Sequence, residues 1–140
     1  MIEELDDREI DAFLREQVVG RVGCHAEGET YVVPVLYVWD GQCIYVQSIE
    51  GRKIRMMRTN PKVVFEVDEY RPGEGWRSVI VDGVYEELDE AEAREALALL
   101  VTRFGERRRN DDGARPERTP VAFRIRRTAA TGRRVARLAG

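Results

Sequence analysis

The sequence predicts a mainly β (α+β) fold, an antiparallel barrel of six strands with a few peripheral helices. Three observations predict it. Two apolar runs, residues 31–39 and 43–48, flank Asp40-Gly41, a dipeptide suited to a tight hairpin turn. Further strand-like runs over 19–24, 63–67, 76–88 and 121–126 are short and β-rich, bounded by glycine, proline or polar turns. Helical spacing appears in three places only and does not alternate with the strands, which excludes a doubly wound α/β sheet. The 140 residues are read as a single domain over 1–140, with 43% apolar residues to build its core.

In chain order, Asp6 with Glu9 three residues later is a capping pair, and Ile10, Phe13 and Leu14 follow at helical spacing. Gly20 ends that helix, a first strand covers 19–24, and Glu27-Gly28-Glu29 is a turn. Residues 32–39 carry no polar face, so both faces of this strand should be covered, one by the core and the other by a ligand or a second subunit. Pro34 cannot donate to a sheet ladder and marks an edge or a bulge. After the hairpin, Ile54 and Met57 give a two-turn helix that Asn60-Pro61 stops. Residues 76–88 form a long strand with a bulge at Gly83. Asp89 with Glu92 caps a third helix carrying the stripe Ala93, Ala96, Leu97, Leu100 and Phe104. Residues 105–119 read as a mobile polar loop, 121–126 as the last strand, and the basic tail after Thr128 has no strong pattern.

Composition narrows the function classes. No apolar run reaches the roughly 18 residues of a membrane span, and the acidic start is unlike a secretory signal, so a cytoplasmic protein is expected. Cys24 and Cys43 are expected as buried free thiols, and with His25, the only histidine, they make a poor metal set. Residues 1–102 hold 11 basic and 22 acidic side chains, a net of −11, and residues 103–140 a net of +8. No aromatic side chain interleaves the arginines after Phe123, so the tail is expected to dock on the acidic body or on a partner subunit, or to stay solvated, and not to bind nucleic acid.

The chemistry-bearing stretch is Ser48, Gly51, Arg52 and Lys53. If Gly51 opens a helix, two cations lie in its first turn, where they oppose the helix dipole unless an anion sits between them. Free backbone N–H groups, those cations and a serine hydroxyl make a phosphate cradle. The alternative is a solvated basic helix balanced by Glu50. Tyr45 and Gln47 share the strand face leading into the cradle, so a flat ring could lie there with its phosphate on Arg52 and Lys53. Tyr37, Trp39 and Trp76 are candidate aromatic walls, each more often core. Arg77-Ser78 offers a further cation and hydroxyl.

The order of Val19-Gly20-Arg21-Val22-Gly23, Tyr31-Val32-Val33-Pro34-Val35, Asp40-Gly41, Ile44-Tyr45-Val46-Gln47-Ser48, Gly51-Arg52-Lys53, Asn60-Pro61 and Arg77-Ser78 resembles the pyridoxamine 5′-phosphate oxidase-related flavoproteins, most closely the branch that includes nitroimidazole-resistance proteins. The resemblance spans about residues 7–88. It implies a split β-barrel binding FMN at a homodimer interface and acting as an oxidoreductase on a small molecule; NAD(P)H is a candidate electron donor, which the sequence does not name. It brings Val33, Pro34 and Val35 past the flavin ring through backbone atoms, Tyr45, Gln47 and Ser48 along the flavin, Arg52 and Lys53 to the phosphate, and Arg77 and Ser78 nearby. Gln47 stands where that branch usually carries histidine, and an amide cannot shuttle protons. Nitroimidazole reduction is therefore not expected, nor is vitamin B6 oxidation. The alternatives are a flavin-binding module without turnover, or the same barrel holding deazaflavin or haem.

Overall fold

The structure, a computed structural model, describes residues 1–105 and 119–136. The expected mobile loop falls on 106–118, outside the described residues. The elements are β1 (Ile2–Glu4), α1 (Asp7–Glu16), β2 (Val19–Ala26), β3 (Glu29–Leu36), β4 (Val38–Trp39), β5 (Cys43–Ile49), α2 (Arg52–Thr59), β6 (Lys62–Arg71), β7 (Gly75–Glu87), α3 (Glu90–Phe104) and β8 (Pro120–Ala136). All strands pair antiparallel in one sheet of order β3-β2-β6-β7-β8-β5-β4, with β1 on β8. The two ends of that order do not pair with each other, so the sheet curls without closing. This is the split barrel with peripheral helices, and the expected six strands gain two short ones, β1 and β4. Among the described residues no helix is long and apolar enough to cross a membrane.

Alternation makes the core. Val22, Ile44, Val46, Phe65, Val67, Val79, Val81, Phe123 and Ile125 point inward from their strands and are buried. Ile10, Phe13 and Leu14 of α1 and Ile54 and Met57 of α2 pack against them. Both capping boxes read from the sequence form, Asp6 with Glu9 and Asp89 with Glu92. The β7–β8 register slips between Asp82 and Gly83, where a Cβ on Gly83 would run into Ile125 and lie 2.8 Å from the Arg126 carbonyl oxygen. Cys24 and Cys43 are buried free thiols.

Two expectations are corrected. Residues 32–39 are not one strand. Leu36 closes the β2–β3 pairing opposite Val19, and only Val38 and Trp39 continue, as β4 on β5. The chain turns at Tyr37, whose hydroxyl donates to the Leu14 carbonyl at 2.6 Å, while Trp39 Nε1 donates to Asp11 at 2.9 Å. Both aromatics are thus core anchors for α1 and not walls of a site. Nor is the segment after Thr128 patternless. It continues β8 to Ala136, and the period is hidden because the inward positions are the small residues Ala130 and Gly132, with Leu5 and Ile10 filling the space over Gly132. Three described arginines of this end dock on the acidic body: Arg124 on Glu86 and Glu92, Arg126 on Glu86, Arg134 on Glu3 and Glu9.

β3 is an edge strand, which accommodates Pro34. Its outward residues Val32 and Leu36 are 59% and 42% exposed, and Val19, Val64 and Ile80 extend the same apolar face across the sheet. Within this face Arg21 bridges Glu66 and Asp68, each at 3.0 Å. Burial first, and then the Asp68 carboxylate, push Glu66 up to about 7 against the pull of Arg21. A raised folded-state value means stability that is present below the unfolded carboxylate range, about 4.5, and is lost as pH rises through about 7. Wild type should therefore lose stability relative to Glu66→Gln between pH ~5 and ~8, read as the gap between their urea midpoints. A gap that does not change with pH would refute the assignment.

Candidate functional site

Three elements meet beside the β3 edge. β5 ends at Ile49 and the chain re-enters as α2, with Gly51 as N-cap and no side chain capping the helix. α1 and α3 begin with aspartate caps and acidic first turns, whereas α2 begins with Arg52 and Lys53 and no acid. The first-turn N–H groups of a helix lack intrahelical partners, so the start of α2 is positive twice over, from its dipole and from its side chains.

A cavity of about 780 Å³ opens here. Its polar end is Gln47, Ser48 and Lys53; one wall is Pro34, Val35 and Leu36 of β3; the other is the α3 face of Leu97, Leu100, Val101 and Phe104. Lys53 is the only charged side chain among the described lining residues. It is half-buried, burial lowers its pKa, and among the described residues no carboxylate pairs with it. Arg52, one residue earlier, turns away: its guanidinium lies 4.4 Å from the Tyr31 ring centroid and pairs with Glu29 at 3.0 Å. Arg58, at the far end of α2, is held by Glu50 and Glu87.

Of the residues singled out in the sequence, one chain brings Pro34, Val35, Gln47, Ser48 and Lys53 to this cavity. Val33 is half-buried against the core. Tyr45 is two residues from Gln47 on the same strand, and burial, with Asp40 next, pushes its phenol up to about 12. Arg77 and Ser78 lie on β7. Arg77 is held by Glu16 at 3.1 Å and Glu69 at 2.7 Å over the Phe13 ring, and Ser78 is buried. Neither lines the cavity. His25 is exposed on β2, its ring 3.0 Å from the Thr30 hydroxyl, and does not line it either. For the α3 wall, sequence spacing gives the helical stripe but not the surface it faces.

Residues 6–134 match the profile of the family described as pyridoxamine 5′-phosphate oxidase. A crystal structure of a FAD-binding protein from Mesorhizobium loti is 34% identical, covers 98% of each chain and superposes with a TM-score of 0.79. The FAD-binding protein of Mycobacterium smegmatis is 25% identical over 96% of this chain and 98% of its own, with a TM-score of 0.69. An uncharacterized protein of Rhizobium meliloti (strain 1021) is 39% identical over 70 residues, 50% of this chain and 46% of that one. The match thus spans about half the length of this curated relative.

Proposed function

Because the chain belongs to the pyridoxamine 5′-phosphate oxidase family, we propose that it is a homodimeric FMN-binding flavoprotein acting as an oxidoreductase on a small molecule, with NAD(P)H as electron donor. The observation that carries this is Lys53: a partly desolvated cation without a counter-ion, at an uncapped helix start, in a cavity of ligand size. Burying a charge unpaired is costly, and a phosphate at that place removes the cost, takes up the free N–H groups and reverses the sign of the dipole term. Arg52 joins it by leaving Glu29, a surface pair worth about 0–1 kcal/mol. Gln47 and Ser48 supply hydrogen bonds to the ring edge, and the β3 edge beside Pro34 supplies backbone groups that no strand uses.

Bound flavin supplies hydride or electron transfer, while the protein binds and orients it and keeps water away. The exposed apolar residues Val32, Val64 and Ile80 on the outer face of the sheet suit a second copy of the chain. FMN is preferred to FAD, the ligand in the names of the two similar structures, because among its described lining residues the cavity offers one unpaired cation to one terminal phosphate.

A second reading, a flavin-binding module without turnover, is favoured by one observation: among the described residues, no titratable side chain apart from Lys53 lines the cavity to act as acid or base. The visible spectrum of the purified protein tests both. A two-banded flavin spectrum is expected, with FMN released on denaturation and identified by chromatography. A sharp Soret band would mean haem, and a colourless protein that takes up no added FMN would end the flavin reading. Bleaching of bound flavin by NADH or NADPH separates the enzyme from the module.

A further inference from the structure

We propose that the α3 side of the cavity is a compartment for an uncharged, planar, apolar molecule. The inference rests on the flavin reading only for the occupant of the Lys53 end. α3 has fifteen residues, and only Ala96 is buried. Leu97, Leu100, Val101 and Phe104 stand at i, i+3, i+4 and i+7, a single stripe. Such a stripe ordinarily packs on a core. Here Leu97 remains 43% exposed and Val101 and Phe104 37% each, because the stripe faces the cavity. Opposite stand Leu36, Val19 and Ile49, also exposed and apolar. A slot between a strand wall and a helix wall takes a flat group.

The charges of α3 are turned elsewhere. Glu90 pairs with Arg94, Glu92 with Arg124, and Arg103 donates to the Glu16 carbonyl. If Lys53 is taken by the flavin phosphate, an anionic substrate finds no second cation among the described residues of the cavity wall. Its charge would be desolvated without compensation, while a neutral ring system replaces water on both walls. The slot therefore selects against phosphorylated or carboxylated substrates and for neutral planar ones, such as quinones.

The probes are 1,4-naphthoquinone and its 2-sulfonate, which share a ring system and differ by one negative charge. Both are titrated by calorimetry into the protein with and without saturating FMN. The neutral probe should bind at least tenfold more tightly. Leu97→Glu and Val101→Glu, at positions exposed enough to leave folding intact, should each weaken it at least tenfold with an unchanged urea midpoint. Equal binding of the two probes, no binding of the quinone, or variants that bind it like wild type would overturn the inference. So would loss of binding accompanied by dissociation into monomers, because the stripe would then be an interface between copies. If FMN is not bound but the quinone is, and the variants lose it, the compartment stands and the flavin reading falls.

Discussion

Replacing Phe65 with alanine is expected to cost about 3–5 kcal/mol of folding stability, the largest effect of any single substitution considered. Phe65 is fully buried at the centre of the sheet, edge-on to Tyr37 with ring centroids 4.9 Å apart. Its ring also lies against the backbone of Gly20, so closely that a Cβ there would collide with the ring carbons. The cavity left by truncation is therefore bounded by a neighbour with no side chain to fill it. Gly20→Ala in the wild-type background should destabilise by overpacking, about 1–3 kcal/mol. In the Phe65→Ala background the same methyl should cost much less or stabilise, because it enters the vacated space. Guanidinium denaturation of the four proteins gives the coupling directly. Additive costs would show that the ring and the glycine are not partners.

That pair also shows what the sequence could and could not tell. The two capping boxes, the helix after Gly51 and the irregularity at Gly83 depend on residues close in the chain, and all were legible. The division of residues 32–39 at Tyr37 was not, because it depends on a hydrogen bond to Leu14, 23 residues away. The second half of β8 was hidden because Ala130 and Gly132 face inward, their space taken by side chains from the other end of the chain. The site divides in the same way. Gln47, Ser48 and Lys53 are neighbours in sequence, and the prediction that they share a place needed only the β5–α2 corner. That Arg52 would instead find Glu29, and Arg77 find Glu16 and Glu69, required strand order. That α3 supplies the facing wall required knowing where a helix from the far end of the chain returns.

The double substitution Arg52→Ala with Lys53→Ala should weaken FMN binding at least tenfold, which corresponds to about 1.4 kcal/mol. Without FMN the same variant should be no less stable than wild type, since two cations leave a helix start where each costs about 0.3–1 kcal/mol at an exposed site. Among the described residues the only ion pair lost is the surface one to Glu29. Affinity and apo stability are therefore expected to move in opposite directions, an outcome that general damage to the fold cannot produce. Lys53 should carry the larger share, because it already faces the cavity without a counter-ion, whereas Arg52 must first leave Glu29. For the same reason Glu29→Gln, which releases Arg52, should tighten FMN binding. Titration followed by the quenching of flavin fluorescence reads all of these. Unchanged affinity in the double variant would remove the phosphate from this helix start, and a parallel fall in apo stability would make the two cations structural.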